Sequence, residues 1–340
     1  MPTPVHIHEF LELSKQYPIL DVRSPGEFEC GHIPNAHSFP LFTDEERAIV
    51  GTAYKQVSRE DAVNKGLAFF GPKMKTLADN AKKISAEKIF LVHCWRGGMR
   101  SSSVAWLLEL YGFKVYLLRG GYKSFRRSAL ESFSEGRNIL ILGGKTGSGK
   151  TLILKELSKL GEQTIDLEAL AHHKGSSFGA LGEKPQPTQE MFENKLFIHL
   201  HQTDKNKAVW LEDESNKIGA KLIPKLFFER MRSCRTFFLD IPFNERLQYL
   251  TDEYGKFNPE DLKIAIQRIT RKLGGLNTKI AMEAIDSRDL KKAFGICLNY
   301  YDKTYDYGKN KRNPEMIVNC NFDELSVEKI AGKIINKANS

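Results

Sequence analysis

Short apolar runs alternate along this chain with segments whose apolar residues recur every three or four positions. In roughly the first 125 residues, Pro18 to Val22, Lys88 to His93 and Lys114 to Leu118 read as strands separated by helical stretches. That alternation predicts a parallel α/β sheet with flanking helices. A second α/β unit opens at Asn138-Ile139-Leu140-Ile141-Leu142, a strand followed by a glycine-rich loop and the periodic Leu152, Leu154 and Leu157. Ala208-Val209-Trp210-Leu211 reads as another strand, and Gly255 to Leu298 is helical in pattern. A segment rich in charge and serine, Lys123 to Arg137, connects the halves. The expected domains are 1–130 and 131–340, the second with a helical C-terminal part.

Composition refines this picture only a little. With 340 residues, 41% hydrophobic and 27% charged, the chain has an ordinary globular make-up and enough length for about two cores. No run of about 18 apolar residues occurs, and no basic stretch leads into an apolar one at the start. A cytoplasmic protein is expected, with no membrane span. The five cysteines, Cys30, Cys94, Cys234, Cys297 and Cys320, are scattered and form no Cys-x-x-Cys pair, which argues against a disulfide framework or a zinc site. The net charge of +9 favours an anionic partner without naming it.

Chemistry concentrates in two loops. His93-Cys94-Trp95-Arg96-Gly97-Gly98-Met99-Arg100-Ser101 follows an apolar strand, and Ser101, Ser102 and Ser103 read as the cap of a helix carrying Val104, Ala105, Leu107, Leu108 and Tyr111. A thiol beside a helix N-terminus meets unpaired N–H groups and the positive end of the dipole, so Cys94 is expected as a thiolate. Gly97 and Gly98 let amides turn inward, and Arg96 and Arg100 add positive charge. Five residues separate Cys94 from Arg100, room for a tetrahedral oxyanion. His-Cys-x5-Arg-Ser also signs the cysteine-dependent phosphatases, so the loop leaves chalcogen transfer and phosphate-ester hydrolysis both open.

The second loop, Gly144-Lys145-Thr146-Gly147-Ser148-Gly149-Lys150-Thr151, has the P-loop pattern in its strand-loop-helix setting. Gly144, Thr146, Gly147, Ser148 and Gly149 can wrap a phosphate with backbone amides, and Lys150 can reach the outer phosphate. Downstream, Glu212-Asp213-Glu214-Ser215 ends a strand, and Thr151 and Asp213 are the candidate magnesium ligands. Which of the three acids faces inward stays open. In His172-His173-Lys174-Gly175-Ser176-Ser177-Phe178-Gly179, adjacent histidines cannot face one metal from a helix. Ser176 and Ser177 are read instead as donors to an anion.

Asp21-Val22-Arg23-Ser24-Pro25-Gly26-Glu27-Phe28 and Gly31-His32-Ile33-Pro34-Asn35-Ala36 precede Cys94 in the order and spacing of a rhodanese domain, although the usual sulfurtransferase loop is shorter. Further stretches are Asp44-Glu45-Glu46-Arg47-Ala48, Arg119-Gly120-Gly121-Tyr122-Lys123, Asp166-Leu167-Glu168, Gln186 to Gln189, and Tyr300-Tyr301-Asp302 with Tyr305. Together with the P-loop they make the whole chain resemble the tRNA 2-selenouridine synthases, a rhodanese domain fused to a P-loop NTPase/kinase-like domain. Two positions depart from that family's pattern: Lys174, where arginine is usual, and Lys303, where proline is usual.

The resemblance implies a transferase acting on the wobble uridine, U34, in the anticodon stem-loops of tRNAs for lysine, glutamate and glutamine. Its 2-thiouridine would be S-geranylated by geranyl diphosphate and the geranylated sulfur then replaced by selenium from selenophosphate. The P-loop would hold the diphosphate. Cys94 would take up selenium as a selenylsulfide, with Arg96, Arg100 and the loop amides on the donor's phosphate. No tightly bound cofactor is expected, magnesium is a candidate ion, and the protein is read as a monomer that a selenophosphate-supplying enzyme could serve. Candidate contacts to the tRNA backbone are Lys123, Arg126 and Arg127; Arg230, Arg232 and Arg235; Arg268, Arg271 and Lys272; and Lys309, Lys311 and Arg312. The competing reading is a cysteine-dependent phosphatase or sulfurtransferase with a regulatory nucleotide-binding P-loop domain.

Overall fold

The computed structural model describes residues 1–309 and 312–339, so Lys311 of the last basic cluster lies outside the described residues. The chain divides into two compact units, Met1–Ser132 and Phe133–Ser340. In the first, five parallel strands run β1 (Thr3–Val5), β2 (Ile19–Asp21), β3 (His37–Ser38), β4 (Ile89–His93) and β5 (Lys114–Leu118) along the sequence. Their order in the sheet is β1-β5-β4-β2-β3. A central parallel strand is covered by helices on both faces and must be apolar on both. Phe90, Leu91 and Val92 of β4 are accordingly fully buried, and Phe90 and Val92 share a core with Leu20, Val104, Leu108 and Val115.

The second unit carries strands β6 (Ile139–Gly144), β7 (Gln163–Ile165), β8 (Val209–Glu212), a short antiparallel hairpin of β9 (Lys217–Ile218) and β10 (Lys221–Leu222), then β11 (Thr236–Asp240) and β12 (Ile317–Asn321). Its parallel sheet is ordered β12-β11-β6-β8-β7, so β6, which leads into the P-loop, lies at the centre. Helices Pro259–Gln267, Gly275–Asp286 and Leu290–Lys309 supply the expected helical part, with a core of their own around Phe178, Tyr254, Phe294 and Leu298. Lys303 sits inside the last of these helices, where it keeps the N–H that proline would remove.

Two expectations change. The charged segment after Lys123 is no open linker, because Gly121–Ser132 is a helix that buries Tyr122, Phe125 and Ala129 along one stripe. Surface charges on its other face hid that stripe. The helix after the cysteine loop starts at Met99 with Gly98 as its N-cap, so Ser101, Ser102 and Ser103 lie inside the helix and do not cap it. Among the described residues, no helix is long and apolar enough to cross a membrane.

Candidate functional site

Cys94 follows directly on β4, at the carboxyl end of the first sheet, and its side chain is buried. Its Sγ lies 3.2 Å from the Ser101 hydroxyl, which is also 3.0 Å from the Gly98 carbonyl oxygen. The loop closes against Gly120 and Gly121: the amides of Tyr122 and Lys123 donate to the carbonyl oxygens of Cys94 and Trp95, each at 2.9 Å. Gly121 has φ +59, and a Cβ there would meet the Cys94 carbonyl oxygen at 2.3 Å and the Gly97 nitrogen at 2.4 Å. Only glycine fits this contact.

The two arginines of the loop differ. Arg96 is exposed, whereas Arg100 donates to Glu27 at 2.6 and 3.3 Å. Burial pushes the Glu27 carboxyl up, but hydrogen bonds and charge from Arg100 outweigh it and hold the group below its ordinary range. Behind the loop, Arg23 forms a buried ion pair with Asp21 at 2.6 Å and lies 3.8 Å from the Tyr122 ring centre. His93 is fully buried, and burial keeps its pKa below the ordinary value despite Asp21 at 3.7 Å.

In the second unit the P-loop turns at Gly147 (φ +82) and Gly149 (φ +70) before the helix Lys150–Lys159. It borders a cavity of about 740 Å³ whose walls include Tyr249, Tyr254, Tyr300, Tyr301, Tyr305 and Tyr307. Lys150 donates to the Gly144 carbonyl oxygen at 3.2 Å and lies 5.3 Å from the Tyr305 ring centre. Burial pulls the Lys150 ammonium down, but Tyr305 and the facing Glu214, Glu168 and Glu212 hold it above its ordinary value.

Those three glutamates form the acidic centre, one carboxylate oxygen of each lying within 4.8 Å of the others. Glu168 also accepts from the Thr151 hydroxyl at 3.2 Å. Glu212 is fully buried with neither oxygen hydrogen-bonded, and burial together with its acidic neighbours pushes its pKa well up. Burial, with repulsion from Glu214, raises Glu168 to about 8; burial raises Glu214 to about 8 against the pull of Lys150. Asp213, the magnesium candidate from sequence, does not join them. It is held by Arg312 and, at 3.4 Å, by Arg232, because alternate residues of an extended segment face opposite ways. Glu212 and Glu214 therefore share the side that meets Lys150.

Ser176 borders the cavity, while the Ser177 amide and hydroxyl meet the Tyr301 hydroxyl at 3.1 and 2.6 Å. Ser177 thus anchors the loop. Gly175, at φ +68, lets the chain pass where a Cβ would come within 2.6 Å of Glu168 and 3.0 Å of Glu214. Lys174 pairs with Glu253 at 2.6 Å, a point-charge contact in which lysine serves.

Residues 137–332 match the family described as the tRNA 2-selenouridine synthase AAA domain, and residues 6–128 match the rhodanese-like domain. Among curated proteins, the tRNA 2-selenouridine synthase of Hydrogenovibrio crunogenus is 34% identical over 92% of this chain and 94% of its own length. That of Shewanella denitrificans is 36% identical over 91% of this chain and 93% of its own length. This chain belongs to the tRNA 2-selenouridine synthase family.

Within this synthase-family architecture, a rhodanese-like domain precedes the P-loop domain. Two residues of the second site were not singled out from sequence. Arg246, on the helix Phe243–Tyr254, is buried and donates to the Thr146 carbonyl oxygen at 3.1 Å. Nothing local marks it. Glu168 stood in the quoted Asp166-Leu167-Glu168 stretch without a role; its position after β7, one strand beyond β8, brings it to the P-loop. Of the basic clusters, Arg230, Arg235 and Arg312 each donate to backbone carbonyls of the second unit. Arg268, Arg271 and Lys272 remain exposed.

Proposed function

We propose that this protein converts 2-thiouridine at U34 of tRNA to 2-selenouridine, by way of S-geranyl-2-thiouridine, using geranyl diphosphate and then selenophosphate. The observation that carries the reading is the P-loop cavity. It combines backbone amides and a half-buried lysine, suited to a diphosphate, with a wall of tyrosine rings, suited to a short isoprenoid chain. The family membership and the cysteine loop in the same chain support the second step.

The two steps make chemical sense together. Sulfur of the thiouridine attacks the carbon bearing the diphosphate, the carbon–oxygen bond breaks with pyrophosphate as the leaving group, and the base releases its N3 proton. Lys150 and the loop amides stabilise the charge that develops there. Geranylation turns sulfur into a good leaving group, so a selenium nucleophile can add at C2 of the base and expel geranyl thiolate. The Cys94 loop would serve that step, with Arg96 and Arg100 near the donor's phosphate and Ser101 beside the thiol.

A magnesium ion would fit the acidic centre. Its donors are hard oxygens from Glu168, Glu212 and Glu214 beside Thr151, and Glu212 is the buried carboxylate with both oxygens unused. Such an ion supplies charge neutralisation at the diphosphate when bound. These side chains replace Asp213 in that role.

The test is incubation with tRNA bearing 2-thiouridine, geranyl diphosphate and selenophosphate, followed by nucleoside mass spectrometry. S-geranyl-2-thiouridine and then 2-selenouridine are expected. Cys94→Ala should stop selenation while geranylation persists, and Lys150→Ala should impair geranylation. Absence of both products, with phosphate-ester hydrolysis lost on Cys94→Ala, would establish the phosphatase reading instead.

A further inference from the structure

The P-loop follows the carboxyl end of β6. The opposite edge of the same sheet holds a second cavity, of about 900 Å³, bordered by Asn138, Gln163, Ala208, Arg235 and Met316. Each of these stands at or just before the start of a strand, so the cavity runs along the amino-terminal edge of the sheet. Four cations line it: Arg137, Arg230, Arg235 and Lys207.

The hydrogen bonds of the three guanidiniums go to neutral oxygens, and Arg235 also lies over the Phe237 ring at 5.0 Å. Arg137, 8% exposed, donates to the Thr203 hydroxyl at 2.9 Å, and its Nε is buried with no hydrogen-bond partner. Arg230 donates to the Arg137 carbonyl oxygen at 2.6 Å, and its Nε is likewise buried and unpartnered. Arg235 reaches the Lys337 and Ala338 carbonyl oxygens at 3.1 and 3.5 Å. Among the described residues none of the three forms an ion pair with a carboxylate. The acid on the wall, Glu162, accepts from the Trp210 ring nitrogen at 3.1 Å, and nearby Glu135 pairs with Lys205 at 3.2 Å.

Buried charge without a counter-charge is costly, and guanidiniums favour phosphate as partner. The wall carries no aromatic ring on which a base could stack. We propose that this cavity binds a backbone phosphate of the tRNA, a contact on the edge of the domain opposite the P-loop. The inference rests on the tRNA reading above. Phosphate bonds there are independent of base identity, so the cavity positions the RNA while selection of the uridine lies elsewhere.

The test measures tRNA binding by fluorescence anisotropy between low and moderate salt for the intact protein, Arg230→Gln and Lys207→Glu. Arg230 is half-buried and holds a carbonyl, so thermal melting accompanies each measurement; Lys207 is exposed and its replacement should leave melting unchanged. Each variant is expected to bind tRNA about tenfold more weakly, with a salt slope smaller by about one. Pyrophosphate binding should be unchanged in both. Wild-type affinity and slope in both variants overturn this inference alone, whereas no tRNA binding by the intact protein overturns the proposed function with it. Loss of inorganic phosphate binding at unchanged tRNA affinity assigns the cavity to a free anion and also overturns the RNA contact.

Discussion

Asp302 accepts hydrogen bonds from both terminal nitrogens of Arg246, at 2.8 and 2.7 Å, and the same arginine donates to the carbonyl oxygen of Thr146 inside the P-loop. A fourth bond, from its Nε to the Ile241 carbonyl oxygen at 3.0 Å, satisfies the rest of the group. The helix Leu290–Lys309 therefore braces the phosphate loop through one buried arginine. Removing either partner of such a pair leaves a buried charge unmatched and costs about 3 kcal/mol or more. Asp302→Ala should lower stability by about that amount and weaken pyrophosphate binding, both read by denaturation and calorimetry.

Gly121→Ala tests the glycine contact behind the cysteine loop. A Cβ at this position meets backbone atoms at 2.3 and 2.4 Å, and φ of +59 is strained for alanine. The chain must shift, at a cost of about 1–3 kcal/mol. Thermal melting should fall, and the rate of Cys94 alkylation should change because its carbonyl is the atom displaced.

Glu27→Gln removes the counter-charge of Arg100 while keeping an acceptor for the Ser24 amide in the capping box. The Glu27 pKa is lowered in the folded state, so its contribution is present above about 4.5, the ordinary value, and fades as pH falls through the folded value. The wild-type protein should lose more stability than Glu27→Gln on acidification below that point, measured by urea denaturation across pH.

The acidic centre predicts the opposite dependence. Glu168 and Glu214 have folded pKa values raised to about 8 from 4.5. Between those values the unfolded chain has released protons that the folded one keeps, so stability falls as pH rises through that window. Glu214→Gln should flatten the slope, and stability above pH 8 should exceed that of the wild type. Magnesium should restore wild-type stability at pH 8 more than at pH 5, since a cation competes with the protons; melting curves with magnesium or chelator check this.

Some of this architecture could be read directly from the chain. Central parallel strands must be continuously apolar, so the runs before Cys94 and before the P-loop announced themselves, and the glycines of Gly144 to Thr151 named a phosphate loop because few other uses demand that spacing. Tyr301 and Tyr305, spaced four apart on one helix, could also have been placed on a common face. Arg246 could not, since its partners Thr146 and Asp302 are remote in sequence and nothing beside it signals burial.

Sequence by itself determined the two sheets, the two loops and the family, because local periodicity and loop chemistry are properties of neighbouring residues. Tertiary structure alone decided which acids face Lys150. Glu212 and Glu214 converge with Glu168 from the short helix Leu167–Ala171, while Asp213 turns to Arg312 and Arg232. It also decided that Arg100 answers to Glu27 and that three arginines meet over the far edge of the second sheet. Charge balance in a buried site is a sum over groups brought together by folding, and no local pattern contains that sum.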